Sequence, residues 1–317
     1  MDSYLVPLGV SAAVPFGGRH LSGLALRLEH DLLLFDCGEA TQFRLRAAGV
    51  RTGPLKAIFV THLHGDHYYG ILGLLATLSL VGRTDPLTVV GPEGLAKFVD
   101  ATPAMESRQR PFEIEFVELP PTFSSGVVFK GDSYTVRAAR LDHTIFAVGY
   151  RVDEAGSPGH LNVELARKLG VVDPVQYGRL KSGEAVVGML GRVESGEVLG
   201  PPLRGPSFAY VTDTRPCAGG VQLARDVDLL YHESTFLDKD AERAVVTGHS
   251  TAREAAEVAK EAGAGELLLS HFSARYREGD AFEDEARTVF PACRAAVELQ
   301  RYDVAASRNR ITNANGI

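Results

Sequence analysis

Between positions 61 and 67 the chain reads Thr61-His62-Leu63-His64-Gly65-Asp66-His67, three imidazoles and a carboxylate within six residues. A lone histidine is usually a satisfied core or surface residue, but packing does not account for four metal-ligand types on one short segment. Neutral imidazole and carboxylate suit zinc, with manganese or iron when oxygen ligands join. Alternate residues of an extended segment point the same way, so His62 and His64 can face one ion. Asp66 and His67, past the glycine, are free to reach a second. Two ions need more ligands, and the chain offers them just past hydrophobic runs: His143 after 138–142, Asp213 after 208–212 and His271 after 267–270. With Asp213 shared, one ion takes His62, His64, His143 and Asp213, and the other takes Asp66, His67, His271 and Asp213. Two divalent cations sharing a water lower its pKa and clamp both oxygens of an in-line displacement at phosphorus, so a phosphodiester is the natural substrate.

Those side chains need a scaffold that ends its strands in one place. Short runs rich in β-branched and other apolar residues at 4–10, 24–28, 32–35, 57–60, 87–90, 127–129, 134–138 and 146–152 predict strands, and 208–211, 229–231 and 267–269 repeat the theme. Helical patterns cover 39–48, 70–80, 94–101, 251–262 and 282–290. Strands and helices in two similar halves predict a layered α/β architecture, with a site at the strand ends. Between the halves, 153–205 is broken by Gly and Pro, shows a helix only near 163–169, and reads as a long insertion. Its stretch 167–192 holds Arg167, Lys168, Arg179, Lys181 and Arg192 against Asp173 and Glu184.

Composition narrows the partners. With 33 Lys plus Arg against 40 Asp plus Glu in 317 residues, the net charge is -7, too acidic for a protein held on nucleic acid by its global field. RNA must then be held locally, and no DNA partner is expected. The longest apolar stretch, 71–81, falls short of the roughly 18 residues that cross a bilayer, so the expectation is a cytoplasmic protein with no membrane partner. Three cysteines, far apart and without a CxxC, read as small buried hydrophobes and not as a disulfide framework.

HxHxDH followed by an isolated His, an Asp and a final His resembles the metallo-β-lactamase superfamily, whose fold is an αβ/βα sandwich of two mixed sheets flanked by helices. Within it the chain resembles the ribonuclease Z family along nearly its whole length. The matching pieces are Phe35-Asp36-Cys37-Gly38-Glu39-Ala40-Thr41-Gln42, the metal run, Leu141-Asp142-His143-Thr144, Thr212-Asp213-Thr214-Arg215, His232-Glu233-Ser234-Thr235-Phe236, Gly248-His249-Ser250-Thr251 and Ser270-His271-Phe272-Ser273-Ala274-Arg275-Tyr276. The superfamily motif speaks for metal; the last trio is the more specific.

The resemblance implies a single metallo-β-lactamase domain over 1–317 with an inserted flexible tRNA-binding arm at 153–205. It implies a homodimeric endoribonuclease carrying two divalent ions per subunit, zinc or manganese. Precursor tRNA would be cut after its discriminator nucleotide by a water activated between the ions, leaving a 3′-hydroxyl on the tRNA and a 5′-phosphate on the trailer. Asp66 would also take a proton from the nucleophile. His249 matches the family's proton donor, oriented by Glu233, and the Ser250-Thr251 pair beside it also reads as a helix N-cap. Asp36 reads as the orienter of a ligand histidine. Arg179, Lys181 and Arg275 would bind substrate. His232 reads as a packing residue, and His20, His30 and His160 as surface residues.

Two departures stand out. Asp173 stands where the family's arm usually has glycine. The loop that in many bacterial relatives reads Pro-x-Lys-x-Arg-Asn is here Pro15-Phe16-Gly17-Gly18-Arg19-His20, so different handling of CCA-ending precursors is expected. The rival readings are a small-molecule metallohydrolase, a generic phosphodiesterase or 3′ exoribonuclease, and an RNA-binding protein with a dead site. The basic-centred insertion speaks against the first and the complete ligand set against the last.

Overall fold

In the computed structural model, which describes residues 3–102, 111–277 and 280–304, neighbouring residues of the N-terminal strands bury on opposite faces. Leu5, Leu24, Leu33, Phe35 and Phe59 turn to one side, while Val6, Ala25, Leu34, Ile58 and Val60 turn to the other. Side chains alternate across a strand, and here both faces are apolar, so the sheet must be covered on each side. It holds β1 (Tyr4–Gly9), β2 (Gly23–Arg27), β3 (Leu32–Phe35), β4 (Leu55–Phe59), β5 (Leu87–Pro92) and β6 (Ile114–Leu119) in that order, with β16 (Tyr302–Asp303) outside β1. The strands pair antiparallel up to β3 and parallel from β3 to β6. Helices α1 (Thr41–Ala47), α3 (Ile71–Leu80) and α4 (Leu95–Asp100) bury Leu45, Leu74, Leu78 and Val99 on the outer face. The short α2 (Gly65–Tyr68) precedes α3.

The inner face meets a second seven-stranded sheet. Its order is β15 (Cys293–Ala295), β14 (Glu266–Ser270), β13 (Leu229–Glu233), β12 (Ser207–Val211), β9 (Val148–Glu154), β8 (Tyr134–Arg140) and β7 (Ser125–Lys130). Phe35 stacks on Phe59 at 5.1 Å and approaches Phe208 and Tyr210 of the opposite sheet at 5.8 and 5.5 Å, so aromatic rings fill the space between the sheets. Helices α8 (Ala218–Ala224), α10 (Ala252–Ala262) and α11 (Asp280–Arg287) lie against this sheet, and α9 (Ala241–Thr247) leads into α10. The α10 helix buries Ala252, Ala255, Ala256 and Ala259 at helical spacing, and these small side chains let it sit close. This is the sandwich of two mixed sheets flanked by helices that the sequence led us to expect.

Residues 153–206 make a second compact unit. The sequence pattern shows one helix there, but the unit contains three, α5 (Val163–Lys168), α6 (Pro174–Lys181) and α7 (Ser195–Val198), and a hairpin of β10 (Val186–Gly188) with β11 (Gly191–Val193). They enclose a small core of Ala166, Val171, Leu180, Val186, Val193 and Val198. Asp173 caps α6, accepting from the Val175 N–H at 2.8 Å with Pro174 in the first turn. Both are favoured helix-start residues. The aspartate that replaces the usual glycine therefore begins a helix. The C-terminal residues from 305 onward, with Arg308 and Arg310, lie outside the described residues.

Candidate metal centre

Three of the strands that feed the site end in a bend. Asp36 follows β3, Asp213 lies just past β12 and His271 follows β14, and all three hold positive φ angles of 54°, 49° and 59°. A non-glycine residue in that region costs about 1–3 kcal/mol, and such strain collects at functional sites. After β4 the chain stays extended to His64, the residue before α2, and Asp66 and His67 lie on that short helix.

The seven candidate ligands converge in two groups. His64 Nδ1 lies 3.0 Å from His62 Nε2 and 3.2 Å from His143 Nε2. The Nε2 atoms of His67 and His271 are 3.3 Å apart, and Asp66 Oδ2 sits 3.4 Å from the first and 3.9 Å from the second. Asp213 stands between the groups. Its Oδ1 is 3.3 and 3.2 Å from Nε2 of His67 and His271, and its Oδ2 is 3.6 and 3.9 Å from Nε2 of His62 and His143. Donor atoms of His62, His64, His143 and Asp213 all lie within 4.8 Å of one another, as do those of Asp66, His67 and His271. His249 reaches the same distance from Asp213 and His271.

For four of the five rings, all but His64, the far side explains why Nε2 faces inward. His67 Nδ1 donates to Asp36 Oδ2 at 2.7 Å, and His143 Nδ1 donates to the Gly248 carbonyl at 2.8 Å. His62 and His271 set Nδ1 against the hydroxyls of Thr61 and Thr235 at 3.0 and 2.9 Å. Outer partners of this kind fix the tautomer and aim a bare Nε2 at a metal. Asp36 is itself fixed by Thr61 and the Tyr210 hydroxyl.

Charge fits a cation as well. Burial, and after it the neighbouring His67, holds His62 well below the usual imidazole range, and burial lowers His64 and His143. Burial opposes protonation of His67, but Asp213 and Asp36 carry it well above that range. Burial also pushes Asp66 and Asp213 up, yet the imidazoles facing them outweigh it and keep both carboxylates ionised. Imidazoles held neutral at His62, His64 and His143, beside two anionic oxygen donors, make a donor set suited to zinc or manganese.

Beside the cluster, His249 Nδ1 donates to Glu233 Oε1 at 2.9 Å, and Glu233 is fully buried at the end of β13. Burial lowers the His249 pKa, but the Glu233 carboxylate more than offsets this and raises it to about 9. Gly248 joins this pair to the ligands. Its φ is +78°, and a Cβ there would lie 2.8 Å from His143 Nδ1. Gly248→Ala should therefore destabilise the fold by about 1–2 kcal/mol and displace His143, weakening metal retention about 10- to 100-fold. Thermal unfolding and zinc titration check this, and wild-type values in both would mean that the contact does not orient His143.

The remaining sequence candidates lie elsewhere. Arg275 is exposed, four residues beyond His271. Arg179 and Lys181 are exposed in the last turn of α6, and Arg179 pairs with Glu184 at 2.9 Å. His232 is buried in β13. His20, expected at the surface, is half-buried against Glu298, which also holds Arg44. The Phe16–Arg19 segment closes as a tight turn on Gly17 and Gly18, both at positive φ. Arg19 ties that turn to the carbonyls of Ser273 and Tyr276. Sequence reasoning missed Thr61, Thr235, the Gly248 carbonyl and the Ala13 N–H, which donates to Asp66 Oδ2 at 2.9 Å. The two threonines were visible inside the motifs, but nothing in the spacing gave them a task.

Two family models match the chain: the anti-Pycsar protein Apyc1 over residues 3–97, which span His62 to His67, and the beta-lactamase superfamily domain over residues 179–272, which span Asp213 to His271. Among solved structures, the short form of human tRNase Z is 28% identical and superposes with a TM-score of 0.68, covering 95% of this chain and 99% of its own. Fold and site together define a metallo-β-lactamase-fold hydrolase. Among curated proteins, the ribonuclease Z of Salinibacter ruber is 51% identical over 95% of this chain and 94% of its own length. That of Myxococcus xanthus is 45% identical over 85% and 86%. The chain belongs to the ribonuclease Z family and is an endoribonuclease, a phosphodiester hydrolase.

Proposed function

We propose that this protein is a metal-dependent tRNA 3′-processing endonuclease of the cytoplasm. It hydrolyses precursor tRNA after the discriminator nucleotide and leaves a 3′-hydroxyl on the tRNA and a 5′-phosphate on the trailer. One observation carries the reading: a carboxylate-bridged histidine cluster beside a buried Glu233–His249 pair, in a chain whose curated relatives are ribonuclease Z over almost their full length. The human structure's name, tRNase Z, supports tRNA as the RNA.

His62, His64, His143 and Asp213 would hold one ion, and Asp66, His67, His271 and Asp213 the other, zinc or manganese. When bound, two divalent cations polarise the phosphodiester and make water nucleophilic near neutral pH. Asp66 takes a proton from the attacking water. His249 Nε2 hands a proton to the leaving O3′, while Glu233 keeps Nδ1 engaged and the ring aimed.

The unit at 153–206 is the tRNA-binding arm in this reading, with Arg179 and Lys181 on α6 contacting phosphates and Arg275 on the body. Phe43, Tyr69 and Leu80 are 67%, 52% and 88% exposed. These apolar side chains, on α1 and at the two ends of α3, are what a homodimer in this reading would cover. Deleting Gly156–Gly200 is expected to abolish cleavage of precursor tRNA yet spare a small ester such as bis(p-nitrophenyl) phosphate. Undiminished tRNA processing by that variant would remove the arm from the reading. The Gly17–Gly18 turn supplies neither the Lys nor the Asn of many bacterial relatives. Precursors ending in CCA should therefore be refused less strongly than in those relatives. Paired cleavage of matched substrates with and without CCA tests this, and strong refusal contradicts it.

A further inference from the structure

Glu233 has four donors around its two oxygens. Oε1 accepts from the Thr214 N–H at 2.8 Å and His249 Nδ1 at 2.9 Å, and Oε2 accepts from the Thr235 N–H at 3.0 Å and the Thr235 hydroxyl at 2.6 Å. Donors on both oxygens favour the ionised carboxylate, which can only accept. Thr235 must then donate its hydroxyl hydrogen to Oε2. The same Oγ1 lies 2.9 Å from His271 Nδ1. With its hydrogen already committed, Oγ1 accepts there, so His271 carries its proton on Nδ1 and turns a bare Nε2 towards Asp213 and Asp66.

The arrangement occurs twice. At the other end of the cluster, Asp36 holds His67 directly at 2.7 Å, and it accepts from the Thr61 hydroxyl, 3.0 Å from both carboxylate oxygens. Thr61 Oγ1 in turn lies 3.0 Å from His62 Nδ1. Each buried carboxylate thus holds one histidine directly and a second through a threonine. They differ in what they hold: Asp36 serves two candidate metal ligands, whereas Glu233 serves one candidate ligand and the proposed proton donor.

We propose that Thr235 is a positioning residue that links His271 to Glu233, so that retention of one metal ion depends on a threonine hydroxyl outside the ligand set. The inference rests on the metal-ligand assignment above, and it gives Glu233 a second task beyond His249. The test reads metal content as well as activity. Wild type, Thr235→Val, Thr235→Ser and His249→Ala are loaded with zinc and dialysed against a graded chelator, and zinc per chain is measured beside cleavage of precursor tRNA.

Thr235→Val keeps the side-chain shape and removes the hydroxyl, and is expected to weaken one of the two ions about 10- to 100-fold. Thr235→Ser, which keeps the hydroxyl, should stay close to wild type. His249→Ala should keep both ions while losing cleavage. Thr235→Val holding both ions as tightly as wild type overturns the proposal. So does an equal loss in Thr235→Ser, because packing and not the hydroxyl would then be responsible. A His249→Ala variant that cleaves normally would sink the proton-donor reading alone, since the zinc data judge Thr235 independently.

Discussion

Asp213→Asn should lose both metal ions and all but a trace of cleavage. Asp213 is 3% exposed, and its two oxygens face different groups, Oδ1 towards His67 and His271 and Oδ2 towards His62 and His143. Asparagine keeps the shape and tolerates the positive φ of 49°, so the bend after β12 should survive. It cannot offer two anionic oxygens, and the imidazoles around it would lose the charge that offsets cation repulsion. Changes to groups that only orient ligands already cost about 10- to 100-fold in affinity or activity. Loss of a shared ligand should exceed that range. Zinc content after gel filtration and cleavage of a precursor tRNA read the two losses, with circular dichroism as the check on folding. Two tightly held ions in the variant would mean that Asp213 is not the bridge.

His249→Ala should act on a different step and spare the metal. Its ring is held by Glu233, and Glu233 keeps three other donors when the ring is gone, so the buried carboxylate is not stranded. Loss of a general acid costs about 10²- to 10⁴-fold. The cost should fall on substrates with a poor leaving group. Cleavage of precursor tRNA, whose O3′ must gain a proton to depart, is expected to fall by that amount, and hydrolysis of bis(p-nitrophenyl) phosphate far less, because nitrophenolate leaves without help. Equal losses on both substrates would assign His249 to binding or metal retention instead of proton transfer.

Much of this was legible because the candidate ligands sit where patterns change. His62 to His67 follow an apolar strand, and His143, Asp213 and His271 each come within three residues of another strand's end, so period-two alternation and residue type together located them. The structure gathers the seven into two groups, His62, His64, His143 and Asp213 in one and Asp66, His67 and His271 in the other, with the ligand atoms of each group within 4.8 Å of one another. Other features left no such trace. β6 reads Ile114-Glu115-Phe116-Val117-Glu118-Leu119, and its interleaved acids hide an edge strand from an apolar count. The α6 helix is too polar to show periodicity, and its Asp-Pro start, the one local signal, went unread. The helix expected at 282–290 begins and ends earlier, at Asp280 and Arg287, while Val289 and Phe290 beyond it pack against the core. Glu298 gathers Val10, His20 and Arg44 from more than 250 positions away, and the threonines lie between carboxylates and rings that only the folded chain brings together. Side-chain hydrogen bonds across layers follow from topology, and spacing along the chain does not encode them.

The most direct test of the central claim is end mapping. Metal-loaded protein is given a precursor tRNA with a 3′ trailer, labelled at either end. The expected result is one cut after the discriminator nucleotide, giving a tRNA with a 3′-hydroxyl and an intact trailer with a 5′-phosphate, and no cut once a chelator has removed the metal. A ladder of products shortening from the 3′ end with no intact trailer, or the same cut in the presence of chelator, would contradict it.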